Sequence, residues 1–475
     1  MTEYSRTPIK RREFLGRTLR TGTLIGAGLG LPLGVSLGSE KKSSLRAGEG
    51  IVDITPPLGI ELAGFHRAPG NERRIEGIRQ TMAARALVLQ HGDAQVAIIS
   101  LDSAGVSQDL AGRIQRQVAS QTGILASNVR VCATHTHSAP AFCYLRQWGA
   151  LPVDYMATVE KKAIEAVKAA KADLAPAALQ LGKSRAVGGN HNRTTKTFKT
   201  DEHFDKDSTE AERWLDTMVH VLVFERGEGK RNLMWYHFSA HPVCYTDEQA
   251  GPDWPGLVAQ MTRESHQLAP SYLQGHAGDV NPGDGTPWIG DVQETAQAVH
   301  AAIARAMDRL ERIQVDSIRS EIQEFQVPLD MGLFKDWLAS YQQDPTKCAS
   351  GTWVDARFAK DWFDANAERD TNQTGLPITL AAMRIGDLGL AFHPAELYSY
   401  YGLAIRRGSP LPNTIVVGYT DGLIGYLADP QAYKSGEYAA IVVPKILDFP
   451  PFTPSAAGQM TGAAIDLLTK VAQRD

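Results

Sequence analysis

"QVAIISLD" (Gln95 to Asp102), "QDLAGRIQRQVASQ" (Gln108 to Gln121) and "NVRVCATHTHSAP" (Asn128 to Pro140) follow one another closely, and their patterns differ. The first and third carry runs of β-branched and apolar residues, as buried strands do. The middle one spaces Leu110, Ile114 and Val118 four apart, the stripe of an amphipathic helix. Strand, helix and strand in succession point to an α/β chain. The last strand ends on two imidazoles, His135 and His137.

Upstream, "GIVDITP", closed by Pro56 and Pro57, reads as the first strand, and "ARALVLQ" as the next, before a turn at His91 to Asp93. Downstream, "YMATVEKKAIEAVKAAKADL" reads as a helix, and "TMVHVLVFE" with "NLMWYHFSA" as a hairpin turned at Gly227 to Gly229. "VQETAQAVHAAIARAMDRLERI" is expected to be the longest helix. The strands "ITLAAMRIGDLGLAFH" and "NTIVVGY" and a final helix from about Ala456 to Val471 complete the pattern. Alternation early and hairpins late predict a mixed α/β fold, with mixed sheets covered by helices, in one catalytic domain over residues 50–475. No glycine-rich fingerprint follows a strand and no G-K-[ST] loop occurs, so nucleotide chemistry has no support.

With 475 residues, 43% hydrophobic and 21% charged, the chain falls outside the disordered and collagen-like classes. Its N-terminus, "KRREFLGR", sets Arg11 and Arg12 ahead of a mild apolar segment, Thr21 to Gly38, with six glycines and Pro32. Such a segment is too poor in helix formers for a membrane span. It reads as an export leader of the twin-arginine type over residues 1–38, followed by a polar linker, 39–49, and implies a periplasmic or secreted protein. Removing the leader's six basic and two acidic residues takes the formal charge from −4 to −8, which disfavours a nucleic-acid partner. Cys132, Cys143, Cys244 and Cys348 match no zinc-finger or redox spacing.

His135 and His137 lie two apart at a strand end, where alternation would point both imidazoles the same way. From spacing alone they are two ligands of one ion, one ligand beside a proton carrier, or polar strand-end residues. "WYHFSAHPVC" ends a second strand on His241, with His237 four back competing for the ligand role among aromatic neighbours that favour packing. "LGLAFHPAELYSYYG" brings His393 and Glu396 after a third strand, with Glu396 at an expected helix start, where the macrodipole alone would also favour a carboxylate. Two histidines, a carboxylate and an open position make a catalytic zinc set. A serine nucleophile at Ser103 or Ser138 has no support, because no G-x-S-x-G elbow occurs.

In order, "ATHTHSAP", "FSAH", "HAGDVNPG" and "PAEL" followed by "GYTDGLIGY" make the chain resemble the catalytic domain of the neutral ceramidases, from about Gly50 to about Gly458. The resemblance implies zinc held by His135, His241, Glu396 and Tyr426, with His137 as the nearby acid/base group. It further implies that Tyr438 and Arg193 face the substrate carbonyl. The activity implied is hydrolysis of an N-acyl amide, N-acylsphingosine to sphingosine and a fatty acid, with peripheral membrane contact. Two departures stand out. Asn281, in "DVNPG", replaces a family serine and cannot act as a nucleophile, although activation of water by zinc survives the change. The family's C-terminal immunoglobulin-like domain is expected to be absent. Asp279 and Asn281 are expected to hold the substrate or a ligand imidazole through hydrogen bonds. Alternative readings are a zinc amidase or esterase on another secreted substrate, and a metal-binding relative without turnover.

Overall fold

Two stacked sheets form the centre of the molecule. In the computed structural model, which describes residues 44–344 and 356–473, the larger sheet has nine strands. Its main path runs Ser271–Gln274, Leu233–Phe238, Met218–Arg226, Ala175–Arg185, Arg46–Asp53, Ala83–His91, Ala94–Leu101 and Val129–Ala133, with Glu311–Arg312 beside Ala175–Arg185. The smaller sheet has four, in the order Ile318–Pro328, Gly375–Ile385, Leu388–Phe392 and Asn413–Val417. The expected leader, residues 1–38, and Cys348 lie outside the described residues.

Strand alternation decides which side chains fill which layer. Ala86, Val88, Ala97 and Ile99 face a helical layer, while Leu87, Leu89, Val96 and Ile98 face the second sheet. Leu388, Leu390 and Phe392 answer them across the sheet–sheet interface, and the outer face of the small sheet is covered by helices Ser399–Gly408 and Ala456–Ala472. Helices Gln108–Thr122, Val153–Ala172, Trp254–His266 and Val292–Met307 cover the large sheet. The result is a four-layer helix–sheet–sheet–helix packing, and strands buried on both faces explain the continuous apolar runs in the sequence.

Helix Gln108–Thr122 begins where Ser107 accepts from the Leu110 N–H and ends at Gly123, whose φ of 77° is left-handed. Its predicted stripe, Leu110, Ile114 and Val118, is buried. Two expectations need correction. Among the described residues the longest helix is Val153–Ala172, because Val292–Met307 stops early and Glu311–Arg312 pairs as a short strand. The first strand starts at Arg46, inside the expected linker, since residues 46–53 all pair with Ala83–His91. No helix among the described residues is long and apolar enough to cross a membrane.

Within these two sheets most contacts are antiparallel, yet three pairs are parallel: Val129–Ala133 with Ala94–Leu101, Leu233–Phe238 with Ser271–Gln274, and Leu388–Phe392 with Asn413–Val417. The segments carrying His135, His241 and Glu396 all leave the carboxyl ends of strands in these pairs. Ligands in sheets with parallel strands gather beyond such ends.

Candidate metal centre and active site

The strand Val129–Ala133 ends two residues before His135, and the loop after Asn413–Val417 takes over its edge. The Ala133 N–H donates to Tyr419 O (3.0 Å), the Asp421 N–H to Val131 O (2.7 Å), and the Val131 N–H to the Asp421 carboxylate (2.8 Å). Arg130 closes a buried ion pair on Asp421. His135 itself has φ 64°, and Tyr419 and Asp421 have φ 52° and 58°. Non-glycine residues in this region cost about 1–3 kcal/mol each and cluster at functional sites. The two imidazoles therefore meet through a left-handed kink beyond the strand, and pleat alternation does not bring them together.

The tautomers follow from the partners. His135 Nδ1 lies 2.5 Å from Ala104 O and His241 Nδ1 lies 2.9 Å from Val280 O. A carbonyl only accepts, so both Nδ1 atoms carry the proton and both Nε2 lone pairs are free. Those Nε2 atoms lie 3.4 Å and 3.2 Å from Glu396 Oε2, and His137 Nε2 lies 3.3 Å from His135 Nε2. One nitrogen from each of the three histidines lies within 4.8 Å of the others. His137 differs in one respect: its Nδ1 is buried without a hydrogen-bond partner among the described residues.

Facing lone pairs and a carboxylate repel unless a cation or proton sits between them. Although burial opposes it, positive charge on the His135 and His241 side holds the Glu396 carboxyl well below its usual range. Burial, with Arg193 next, lowers His241 to about 4, and burial with the neighbouring imidazoles holds His137 well below 6.5. At neutral pH His137 and His241 are thus uncharged beside an ionised Glu396. A tetrahedral site with metal–ligand bonds of about 2.0–2.1 Å has edges of roughly 3.3–3.4 Å, close to the separations of the His135 and His241 Nε2 atoms from Glu396 Oε2. The imidazoles and carboxylate suit a divalent ion that takes nitrogen and oxygen, with His135 and His241 oriented by carbonyls as metal ligands generally are.

Residues 45–313 match the family described as neutral/alkaline non-lysosomal ceramidase, N-terminal. The chain belongs to this family. It is 23% identical over 478 residues to the neutral ceramidase of Mycobacterium tuberculosis (strain ATCC 25618 / H37Rv), covering 83% of this chain and 73% of that protein. Its fold matches the crystal structure of neutral ceramidase from Pseudomonas aeruginosa with a TM-score of 0.68 at 17% identity, over 91% of this chain and 76% of that one. A ceramidase complexed with C2 gives 0.69 at 17%, over 90% and 75%. Both likenesses concern the fold alone.

In this ceramidase-family chain, Glu396 does not start a helix. Glu396–Leu397 is a two-residue strand paired in parallel with Tyr426–Leu427, so Glu396 and Tyr426 are direct register partners. The helix begins only at Ser399, which removes the macrodipole reading of Glu396. Tyr426 stacks nearly parallel to His241 at 6.5 Å, and its hydroxyl accepts from Arg193 Nη2 at 2.6 Å. Burial pushes that hydroxyl well above its usual range even beside Arg193. Arg193 also donates to Gly278 O (2.8 Å) and weakly to Asn281 Oδ1 (3.4 Å), while Asn281 Nδ2 donates to Trp288 O (2.8 Å).

Asp279 corrects an expectation. Its carboxylate accepts from the N–H and hydroxyl of Ser399, both at 2.8 Å, and from Asn192 Nδ2 at 2.9 Å, and touches no imidazole. It fastens the start of the helix after Glu396 to the segment bearing Arg193, whose N–H donates to Asp279 O. Close approach matters here: a Cβ on Gly278 would lie 2.4 Å from Glu396 O.

A cavity of about 300 Å³ opens beside the cluster, lined by His137, Arg193, Asn281, Tyr426 and Tyr438. Phe65, Trp148, Val243, Trp288 and Ile289 supply apolar walls. A smaller space of about 50 Å³ continues to His135 and Glu396. Gly64, with φ 94°, lets its loop lie on the His137 ring, which a Cβ would strike at 2.3 Å.

His237 does not enter the site: its Nε2 donates to Val416 O (2.8 Å), because alternation fails after the strand ends at Phe238. His393 is likewise buried elsewhere, its Nδ1 accepting from the Ala395 N–H. Ser103 and Ser138 are buried and line neither cavity. Sequence reasoning missed Tyr419, whose ring stacks on His135 at 4.3 Å. It also missed Arg73, which donates to His137 O. A tyrosine in a glycine-flanked "GYTDG" loop was the only signal for the first, and the second carried none.

Proposed function

We propose that the protein is a zinc-dependent hydrolase of N-acyl amides that cleaves ceramide-like lipids to a long-chain amine and a fatty acid. The observation that carries the metal is the convergence of carbonyl-locked His135 and His241 on Glu396, beside a cavity with apolar walls. When bound, zinc supplies Lewis acidity toward the amide carbonyl and makes water a usable nucleophile near neutral pH.

The chain's own residues then have distinct tasks. His135, His241 and Glu396 hold the ion, with Tyr426 beside Glu396 as the fourth group. His137 lacks the carbonyl partner that locks the other two rings, which suits it to take a proton at Nε2 and return it to the leaving amine. Its low basicity keeps that nitrogen free at neutral pH. Arg193 and Tyr438 donate to the oxygen that gains charge, a contribution of about 2.7–4 kcal/mol per donor in comparable sites. Asn281 steadies Arg193 and takes no covalent part. Trp148 and Phe65 give the acyl chain a surface to displace water.

Export completes the proposal: the paired Arg11 and Arg12 before a glycine-rich apolar segment support a twin-arginine leader and a periplasmic or secreted enzyme, whose catalytic domain includes the strand from Arg46 onward. The test compares metal content and hydrolysis of a fluorogenic short-chain ceramide in the wild type and His135→Ala. One zinc per chain, lost with activity in the variant, is expected. Metal without turnover of any N-acyl amide would sink the hydrolase, and no metal in the wild type would sink the mechanism.

A further inference from the structure

Acceptors as well as donors line the cavity. Glu437 lies there, one residue before Tyr438, and its Oε1 accepts from Arg213 Nη2 at 2.6 Å. Arg213 also pairs with Asp429 at 2.8 Å, so one guanidinium serves two carboxylates. Asp429 is sealed, its side chain 4% exposed, whereas Glu437 is 25% exposed and borders the cavity. Among the described residues the second oxygen, Oε2, has only the Tyr398 hydroxyl, at a long 3.4 Å. A carboxylate offers about four lone-pair sites, so acceptor capacity remains toward the cavity. Thr194 repeats the pattern: its hydroxyl donates to Asn192 Oδ1 (2.8 Å), leaving only lone pairs for a ligand.

We propose that Glu437, with Thr194, is a specificity-determining subsite that accepts hydrogen bonds from hydroxyl groups on the amine half of the substrate. This rests on the N-acyl amide hydrolase reading above. The polarity of the cavity sets the orientation. Arg193, a donor, faces the carbonyl near the histidines, and Glu437 and Thr194 take donors from the rest of the ligand. Arg213 is shared with Asp429 and offsets only part of the Glu437 charge, so the carboxylate keeps its strength as an acceptor for a hydroxyl. A plain alkylamide would leave the carboxylate desolvated and without a donor, which costs affinity.

The test uses two neutral ureas of equal chain length, which resist hydrolysis. One carries an amino-diol on the amine side and the other a plain alkylamine. Calorimetry on the metal-loaded full chain is expected to show the diol binding roughly tenfold tighter or more, as charge-assisted hydrogen bonds give. Glu437→Leu abolishes that preference and Glu437→Gln reduces it, while the plain urea binds Glu437→Leu at least as tightly as the wild type. Equal binding of the two ureas by the wild type overturns the subsite even if neither variant folds, and so does a preference that survives in Glu437→Leu. The matched amides are assayed in parallel. If the diol preference holds while neither amide is cleaved, the subsite stands and the hydrolase reading fails.

Discussion

His135, His137 and His241 form one buried histidine group, and His220, His237, His276 and His393 form another behind it. In the first, two rings are locked by carbonyls at Nδ1, and their free Nε2 atoms face Glu396, which has no arginine ion pair among the described residues. In the second, the carboxylate is already neutralised. Arg406 makes two 3.0 Å bonds to Asp216, and His276 Nε2 lies 3.0 Å from the same carboxylate. His237 uses Nε2 on Val416 O and sets Nδ1 against His220 Nδ1 at 3.3 Å. Equal richness in histidine thus yields opposite chemistry. Lone pairs that converge on a carboxylate call for a cation, and imidazoles that hydrogen-bond one another build a neutral core.

The largest effect expected from this contrast is at Glu396. Glu396→Ala should release the metal and lower kcat/KM by at least about a thousandfold, read by metal analysis and ceramide hydrolysis. The counterpart in the second group is Arg406→Met. It strands the buried Asp216 charge and should cost about 3–5 kcal/mol in denaturant unfolding while bound metal stays at wild-type stoichiometry. Loss of metal there would break the distinction between the groups. Tyr438→Phe should leave metal bound and lower kcat by roughly a hundred- to a thousandfold. An unchanged kcat would remove Tyr438 from the reaction.

The smallest effect concerns acid. Burial, with His276 next, lowers His237 from 6.5 to about 3 and His393 likewise to about 3. The groups facing them are His220, His276, Asp216 and Arg406. Such histidines are neutral in both states above pH 6.5, so they begin to destabilise only as pH falls below it. There the unfolded chain takes up protons that the folded chain refuses, at up to about 1.4 kcal/mol per pH unit for each group. His237→Leu should therefore flatten the stability loss between pH 6.5 and 4 by up to that slope. An unchanged slope would show that His237 takes up its proton in the folded state.

Much of this was legible in the chain. Apolar runs and a four-residue helical stripe gave the α/β class, since burial on both faces leaves its mark in composition. Three strand-like runs ending in His135, His241 and the His393 to Glu396 segment gave the cluster, because imidazole and carboxylate are rare beyond buried strands unless used. What pattern could not supply was direction. His135 lies in a left-handed kink, and His237 turns to Val416. Asp279 fastens a helix, and Glu396 sits on a short strand beside Tyr426. The sequence by itself determined which residue types stand at the strand ends, for period and polarity are local properties. Only the tertiary structure decided which lone pairs meet, because that depends on carbonyls, arginines and rings contributed by segments far apart in the chain.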